Sequence, residues 1–117
     1  GAIDGAGAWV GPSSELTLTS SIVSSNTGSG LAGLGGSFTG RYNNLYGNTG
    51  GDYVGLNAPT DGTSIALDPM FVAPVIPGDW HLADGSPSID AGSVSATDLD
   101  GSPSDQGAYG GPSAWLE

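Results

Sequence analysis

A pattern recurs in the first half of the chain: two apolar residues followed, after a short polar step, by Asn-Thr-Gly. Ser21-Ile22-Val23-Ser24-Ser25-Asn26-Thr27-Gly28 aligns with Asn44-Leu45-Tyr46-Gly47-Asn48-Thr49-Gly50 when one residue is dropped. Leu45 then stands 23 residues after Ile22, and Asn48 stands 22 after Asn26. Short strands with Gly or Asn corners at that spacing suit the turns of a parallel β-solenoid, each stacked on the one before. Upstream, Leu16-Thr17-Leu18-Thr19 alternates with the period of a strand, and Gly33, Gly35, Gly36 and Gly40 punctuate the path to the next one. Because two copies fall short of the three that make a repeat convincing, an antiparallel β-sandwich stands as the alternative fold.

Composition narrows the class further. With 117 residues and 22 Gly, and with Ser, Thr, Asn and Asp bringing the turn-forming types above half of the chain, a helix-rich fold is improbable. The length fits a single domain, residues 1–117. Disorder is excluded because hydrophobic residues make up 37% of the chain and gather in short runs such as Leu16 to Leu18 and Met70 to Val72. A formal charge of −11, with a single Lys or Arg against 12 acids, repels phosphate backbones and anionic headgroups, which excludes nucleic acid as a partner. No run approaches the ~18 apolar residues of a membrane span, so no membrane insertion is expected.

The chain divides into β-helix coils over residues 1–63 and a terminal coil with a capping region over 64–115. Residues 116–117, Leu-Glu, read as a cloning remnant. About five coils of 22 residues would use up the whole length. In Ser64 to Val72 the apolar run is broken at Pro69, which cannot donate in a central ladder, so a bent or edge strand is expected there. Asp79-Trp80-His81-Leu82 alternates, which predicts a short strand with Trp80 and Leu82 facing inward and His81 outward. Both ends of a stack need atypical covering segments. The proline-rich stretch 74–112 suits one end, and Gly1 to Pro12, with Ile3, Trp9 and Val10, suits the other.

A family resemblance rests on the second half. Asp68-Pro69-Met70-Phe71-Val72, Gly78-Asp79-Trp80-His81-Leu82, Gly85-Ser86-Pro87-Ser88-Ile89-Asp90-Ala91-Gly92, Asp98-Leu99-Asp100-Gly101-Ser102 and Asp105-Gln106-Gly107-Ala108-Tyr109-Gly110-Gly111-Pro112 follow one another in order. The string resembles the C-terminal end of bacterial right-handed parallel β-helix proteins of the pectate-lyase-like type. It covers roughly residues 64–112. The resemblance implies an all-β, right-handed parallel β-helix whose irregular C-terminal cap closes the stack, in an extracellular or cell-surface protein. Adjoining β-helix coils of a parent chain and a surface polysaccharide are the partners it implies. It does not imply lyase activity, because catalytic coils would precede this segment.

The residues offer three structural candidates and one metal candidate. Asp98, Asp100 and Asp105 place three carboxylates within eight residues beside Gly101, a composition open to calcium, which takes six to eight oxygens. An EF-hand is excluded, since Tyr109 stands where its bidentate Glu is required. Asp-Gly and Ser-Pro are also ordinary turn formers whose side chains bond their own backbone, so a turn without an ion is the competing account. Asp90 follows Ile89, expected inward, and is assigned a structural hydrogen-bonding role. Asn26 and Asn48 occupy equivalent coil positions, where stacked side-chain amides would bond along the stack.

No catalytic residue is assigned. A polysaccharide lyase needs a base and a cation against the developing negative charge, yet the chain offers only Arg41, His81 and the tyrosines Tyr42, Tyr46, Tyr53 and Tyr109. No nucleophile elbow and no zinc-protease motif occurs. The expected function is therefore a non-catalytic structural, interaction and capping module, with the terminal part of a β-helix polysaccharide lyase or glycoside hydrolase as the alternative. Ice binding by outward Thr17 and Thr19 is a weaker third reading, because Thr-x-Thr does not recur in the next coil.

Overall fold

The computed structural model describes residues 7–73 and 79–110, with the side chains of Asp79 and Trp80 outside the description. Its elements are β1 (Ala8–Val10), β2 (Glu15–Thr19), β3 (Ile22–Ser24), β4 (Leu31–Gly33), β5 (Ser37–Arg41), β6 (Asn44–Tyr46), β7 (Tyr53–Val54), β8 (Phe71–Ala73) and β9 (Asp79–Leu82). The fold is all-β, with no helix among the described residues. Strands β1, β4 and β7 form one parallel sheet, β2 and β5 a second, and β3 and β6 a third. The chain thus visits three sheets in turn and then returns to the first. An antiparallel sandwich does not pair its strands this way, and among the described strands only β8 and β9 run antiparallel.

The pairing carries the period. Glu15 lies beside Ser37 and Leu31 beside Tyr53, each 22 residues on, while Ala8 lies beside Leu31. Left-handed corners repeat at the same spacing: Ser13 and Gly35, Ser20 and Tyr42, and Ser25 and Gly47 all have positive φ. An L side chain in that region is strained, so three matched pairs mark bends imposed by the stacking of one pass on the next. Because Ser25 and Gly47 take the same corner, no residue is dropped between the two passes. Ile22 therefore pairs with Asn44, Val23 with Leu45 and Ser24 with Tyr46. This corrects the expected register, which set Ile22 against Leu45 and Val23 against Tyr46.

The parallel pairing among the described residues runs from β1 to Ile65. The first sheet is visited three times, and the third pass closes with an isolated parallel bridge between Asn44 and Ile65. Alternation in β2 behaves as the sequence predicts, with Leu16 and Leu18 half-buried between exposed Glu15, Thr17 and Thr19. Among the described residues the buried apolar side chains are Val10, Leu31 and Leu45. Val10 belongs to this core, and β1 pairs in parallel with β4. Trp9 is exposed, and Ile3 lies outside the described residues.

The second half is built from turns. The β8–β9 hairpin carries the expected strand at 79–82, and Phe71 opens β8 directly after Met70 takes a positive φ of 57°. Whether Trp80 faces inward falls outside the description, as do residues 74–78 and 111–117. His81 is half-buried rather than outward: its ring stacks on Tyr109 with centroids 3.7 Å apart. Beyond the hairpin the described part of the tail bonds to corners of two passes. Gly107 N–H donates to the Ser20 carbonyl at 2.8 Å, Ser93 N–H to Ser20 Oγ at 2.8 Å, and Gln106 Nε2 to the Tyr42 carbonyl at 2.7 Å. Ser20 and Tyr42 are the same corner on two successive passes, so the tail braces one pass to the next.

Candidate functional site

Buried amides hold the stack together, and they sit where short strands cannot satisfy their own corners. Asn48 Oδ1 accepts both the Asn26 backbone N–H at 3.1 Å and Asn26 Nδ2 at 2.8 Å. Asn48 Nδ2 in turn donates to the Val23 carbonyl at 3.0 Å and to Asp52 Oδ1 at 2.8 Å. Asn26 and Asn48 thus bond each other across 22 residues. Glycine makes room for it: a Cβ on Gly30 would stand 2.7 Å from Asn48 Nδ2 and 2.8 Å from the Asp52 carbonyl.

Asn43 and Asn44 do the same work and were not singled out by sequence. Both are fully buried. Asn43 Oδ1 accepts the Ser21 N–H at 3.0 Å while its Nδ2 donates to the Leu18 carbonyl at 2.8 Å. Asn44 Nδ2 donates to the Leu67 carbonyl at 2.8 Å and to Ser88 Oγ at 2.9 Å, and its Oδ1 accepts the Leu67 N–H at 3.2 Å. Two adjacent amides facing Ser21-Ile22 across the repeat were the available signal. Gln106 is the tail's counterpart, 1% exposed, with Oε1 lacking a hydrogen-bond partner among the described residues.

The three acids of the candidate calcium loop are divided between two tasks. Asp98 to Gly101 forms a tight turn, with Gly101 N–H donating to the Asp98 carbonyl at 2.9 Å and an isolated bridge pairing Thr97 with Pro103. Asp100 turns back on it: its Oδ1 accepts Ser102 Oγ at 2.6 Å and the Ser102 N–H at 3.0 Å, which holds its carboxyl below the usual range. Asp105 N–H donates to Asp98 Oδ1 at 3.2 Å, and Asp105 Oδ1 accepts the Asp90 N–H at 2.7 Å. Burial pushes the Asp105 carboxyl up, and the neighbouring charges of Asp98 and Asp90 add to it. Asp90 joins through its backbone N–H, in a left-handed conformation, and Ile89 before it is 37% exposed rather than inward. Among the described residues no group of three or more acids or histidines gathers at one point. Asp98 and Asp105 come together; Asp100 does not join them.

Two of the clefts among the described residues lie against β1 to β5. One, of about 420 Å³, opens on the first pass and is lined by Leu16, Leu18, Ile22, Val23 and Leu31 with Asn26 at its edge, and no ionisable group among the described residues lines it. The other, of about 280 Å³, lies between β5 and the segment 57–61. Arg41 sits at its rim, 65% exposed, with Nε 3.4 Å from Asp61 Oδ2. Hydrogen bonds from the Thr63 backbone and hydroxyl, and then Arg41, hold the Asp61 carboxyl below its ordinary value. Arg41 is thus placed as the partner of one exposed carboxylate, and its neighbour Tyr42 is a corner residue whose carbonyl receives Gln106.

Comparison with models of known protein families, with curated proteins and with solved structures finds no match to this chain.

Proposed function

We propose that the chain is a non-catalytic structural and interaction module: the end segment of an extracellular, right-handed parallel β-helix of the pectate-lyase-like type. The observation that supports it is the difference between the two ends of the stacked strands. On the far side β4 pairs with β7, β6 bridges Ile65, and the Tyr42 and Asn43 N–H groups after β5 donate to Thr63 Oγ1 at 3.0 Å and Ser64 Oγ at 3.2 Å, so the passes go on into later residues although β5 and β7 are themselves sheet edges. On the near side, among the described residues, β1, β2 and β3 have no strand beyond them and border a largely apolar cleft. Open parallel edges above half-buried Leu16, Leu18, Ile22 and Val23 form a surface that a further pass of the same period would cover. The partners are thus adjoining coils at that edge and, following the resemblance, a surface polysaccharide.

The test inserts a second copy of residues 30–51 immediately before Gly7. The expected result is a higher Tm with a monomeric product, because neighbouring passes stabilise each other through their interfaces. A lower Tm with the inserted residues unprotected in amide exchange overturns the reading. The isolated chain is also expected to leave uronic-acid polymers and neutral glycans uncleaved, since the second cleft presents a single paired cation. Release of unsaturated oligosaccharides that Arg41→Ala abolishes would favour the lyase alternative.

Calcium enters this reading only as a stabiliser of the tail. Two carboxylates fall short of the six to eight oxygens the ion takes, so no complete cage is present among the described residues. A partly hydrated ion at Asp98 and Asp105 would relieve the like-charge repulsion that raises Asp105. Calcium should then raise the Tm of the parent and not of Asp98→Asn, and identical melting curves in calcium and in chelator would dismiss it.

A further inference from the structure

A third cleft, of about 280 Å³, lies where the end of β6 meets the segment leading into β8. Ser24, Ser25 and Tyr46 form one wall and Asp68, Pro69, Met70 and Phe71 the other. Tyr46 stacks in register on Ser24 and is 39% exposed, so its ring is presented at a surface rather than packed away. The opposite wall is fixed from several sides. Asp68 Oδ1 accepts the Met70 N–H at 2.9 Å, Ser86 Oγ donates to the Pro69 carbonyl at 2.5 Å, and Ala83 N–H donates to the Met70 carbonyl at 2.7 Å. These bonds hold Met70, 39% exposed, at a positive φ of 57°. A long unbranched side chain is rarely found in that region, and where the surroundings enforce it the conformation often serves a site.

The chemistry of the walls selects the ligand. Among the described residues lining the cleft, Asp68 is the one acidic side chain, and the chain as a whole carries −11. An anion is repelled on both counts. A cation gains the Asp68 carboxylate and a lining that includes the Tyr46 ring and the polarisable Met70 side chain, with Ser24 and Ser25 as hydroxyl acceptors. The volume admits a charged head with a short alkyl stem. We propose that this cleft binds an alkylammonium or guanidinium group, carried either by a free organic cation or by a Lys or Arg side chain of a partner. This goes beyond the structural role above and does not depend on it.

Met70 is the only methionine, so its methyl resonance is a single unambiguous reporter. The full chain would be titrated with n-butylammonium, with n-butylguanidinium and with a blocked Gly-Lys-Gly peptide, against n-butanol and butyrate as neutral and anionic matches. Saturable shifts of the Met70 methyl and Tyr46 ring signals with the cations alone, weakening as salt is raised, are the expected result. Tighter binding of the peptide points to a partner's side chain and tighter binding of the free amine to a small molecule; both support the proposal. Asp68→Asn should keep the fold, because an amide oxygen still accepts the Met70 N–H, and should weaken binding about tenfold. Tyr46→Leu should weaken it about fivefold. An equal response to butanol, no saturable response to any cation, or unchanged affinity in folded Asp68→Asn would overturn the proposal.

Discussion

The stacked strands over residues 8–65 and the tail over 79–110 use the same residue types to opposite ends. In the stack, Asn and Gly recur at one spacing, and each buried amide bonds a neighbouring pass. In the tail, Ser, Asp and Gly make local turns, as in Ser102 on Asp100 or Ser95 on Ser93, and only a few bonds reach outward. Periodicity lets one hydrogen-bond solution be used twice; without it, each turn must be closed separately. The stack should therefore be the more cooperative region, and the tail the one that tolerates change.

The sharpest way to break that contrast is Asn48→Ala. It strands the Asn26 amide, the Val23 carbonyl and the Asp52 carboxylate together, so a loss of about 3 kcal/mol in denaturant unfolding is expected. Gln106→Ala, which removes one bond to Tyr42 and an oxygen already lacking a partner, should cost about 1 kcal/mol. If the two losses are equal, the stack has no special cooperativity. Next comes Gly30→Ala, whose methyl would press on Asn48 and the Asp52 carbonyl. A loss of about 2 kcal/mol is expected, with the amide-exchange protection of Asn26 falling alongside.

A smaller effect of opposite sign should come from the corners. Ser25 occupies the conformation that Gly47 takes one pass later, so Ser25→Gly should gain about 1 kcal/mol, read as a rise in Tm. A loss would mean that the Ser25 side chain does something the backbone geometry does not reveal. The smallest effect belongs to the tail. Asp105 has a raised carboxyl, so its favourable contribution is complete below the unfolded pKa and is lost as pH rises through the folded one. Asp105→Asn, which can still accept the Asp90 N–H, should therefore melt slightly higher than the parent at neutral pH, by about 0.5 kcal/mol or less, and no higher in acid. Asp61 and Asp100 run the other way, their contributions being present above the unfolded pKa and fading as pH falls through the lowered one.

Much of the stack was legible because its signals are local. Leu16-Thr17-Leu18-Thr19 alternates as a half-buried strand must, and Asn26 with Asn48 marks a position where a side-chain amide substitutes for a missing ladder bond. The tail's turns were legible in the same way, from Asp-Gly, Ser-Pro and the absence of apolar runs, and 83–110 holds no strand. Asp98, Asp100 and Asp105 could not be resolved as a group, because which carboxylate turns toward Ser102 and which toward its neighbours depends on the path of the turn.

What the sequence alone determined was the class and the period: all-β, with short strands returning near every 22 residues and a turn-built tail. Tertiary structure decided the register and the partners. Hydrophobic matching sets Ile22 against Leu45, yet the chain sets it against Asn44. That amide is tolerable in the interior because the Leu67 backbone and Ser88, 23 and 44 residues away, satisfy it. The same holds for the lone histidine, which alternation turns outward and Tyr109 draws into a stack. In each case the residue's neighbours along the chain favour one placement, and a group distant in sequence supplies the bond or the ring face that makes another one lower in free energy.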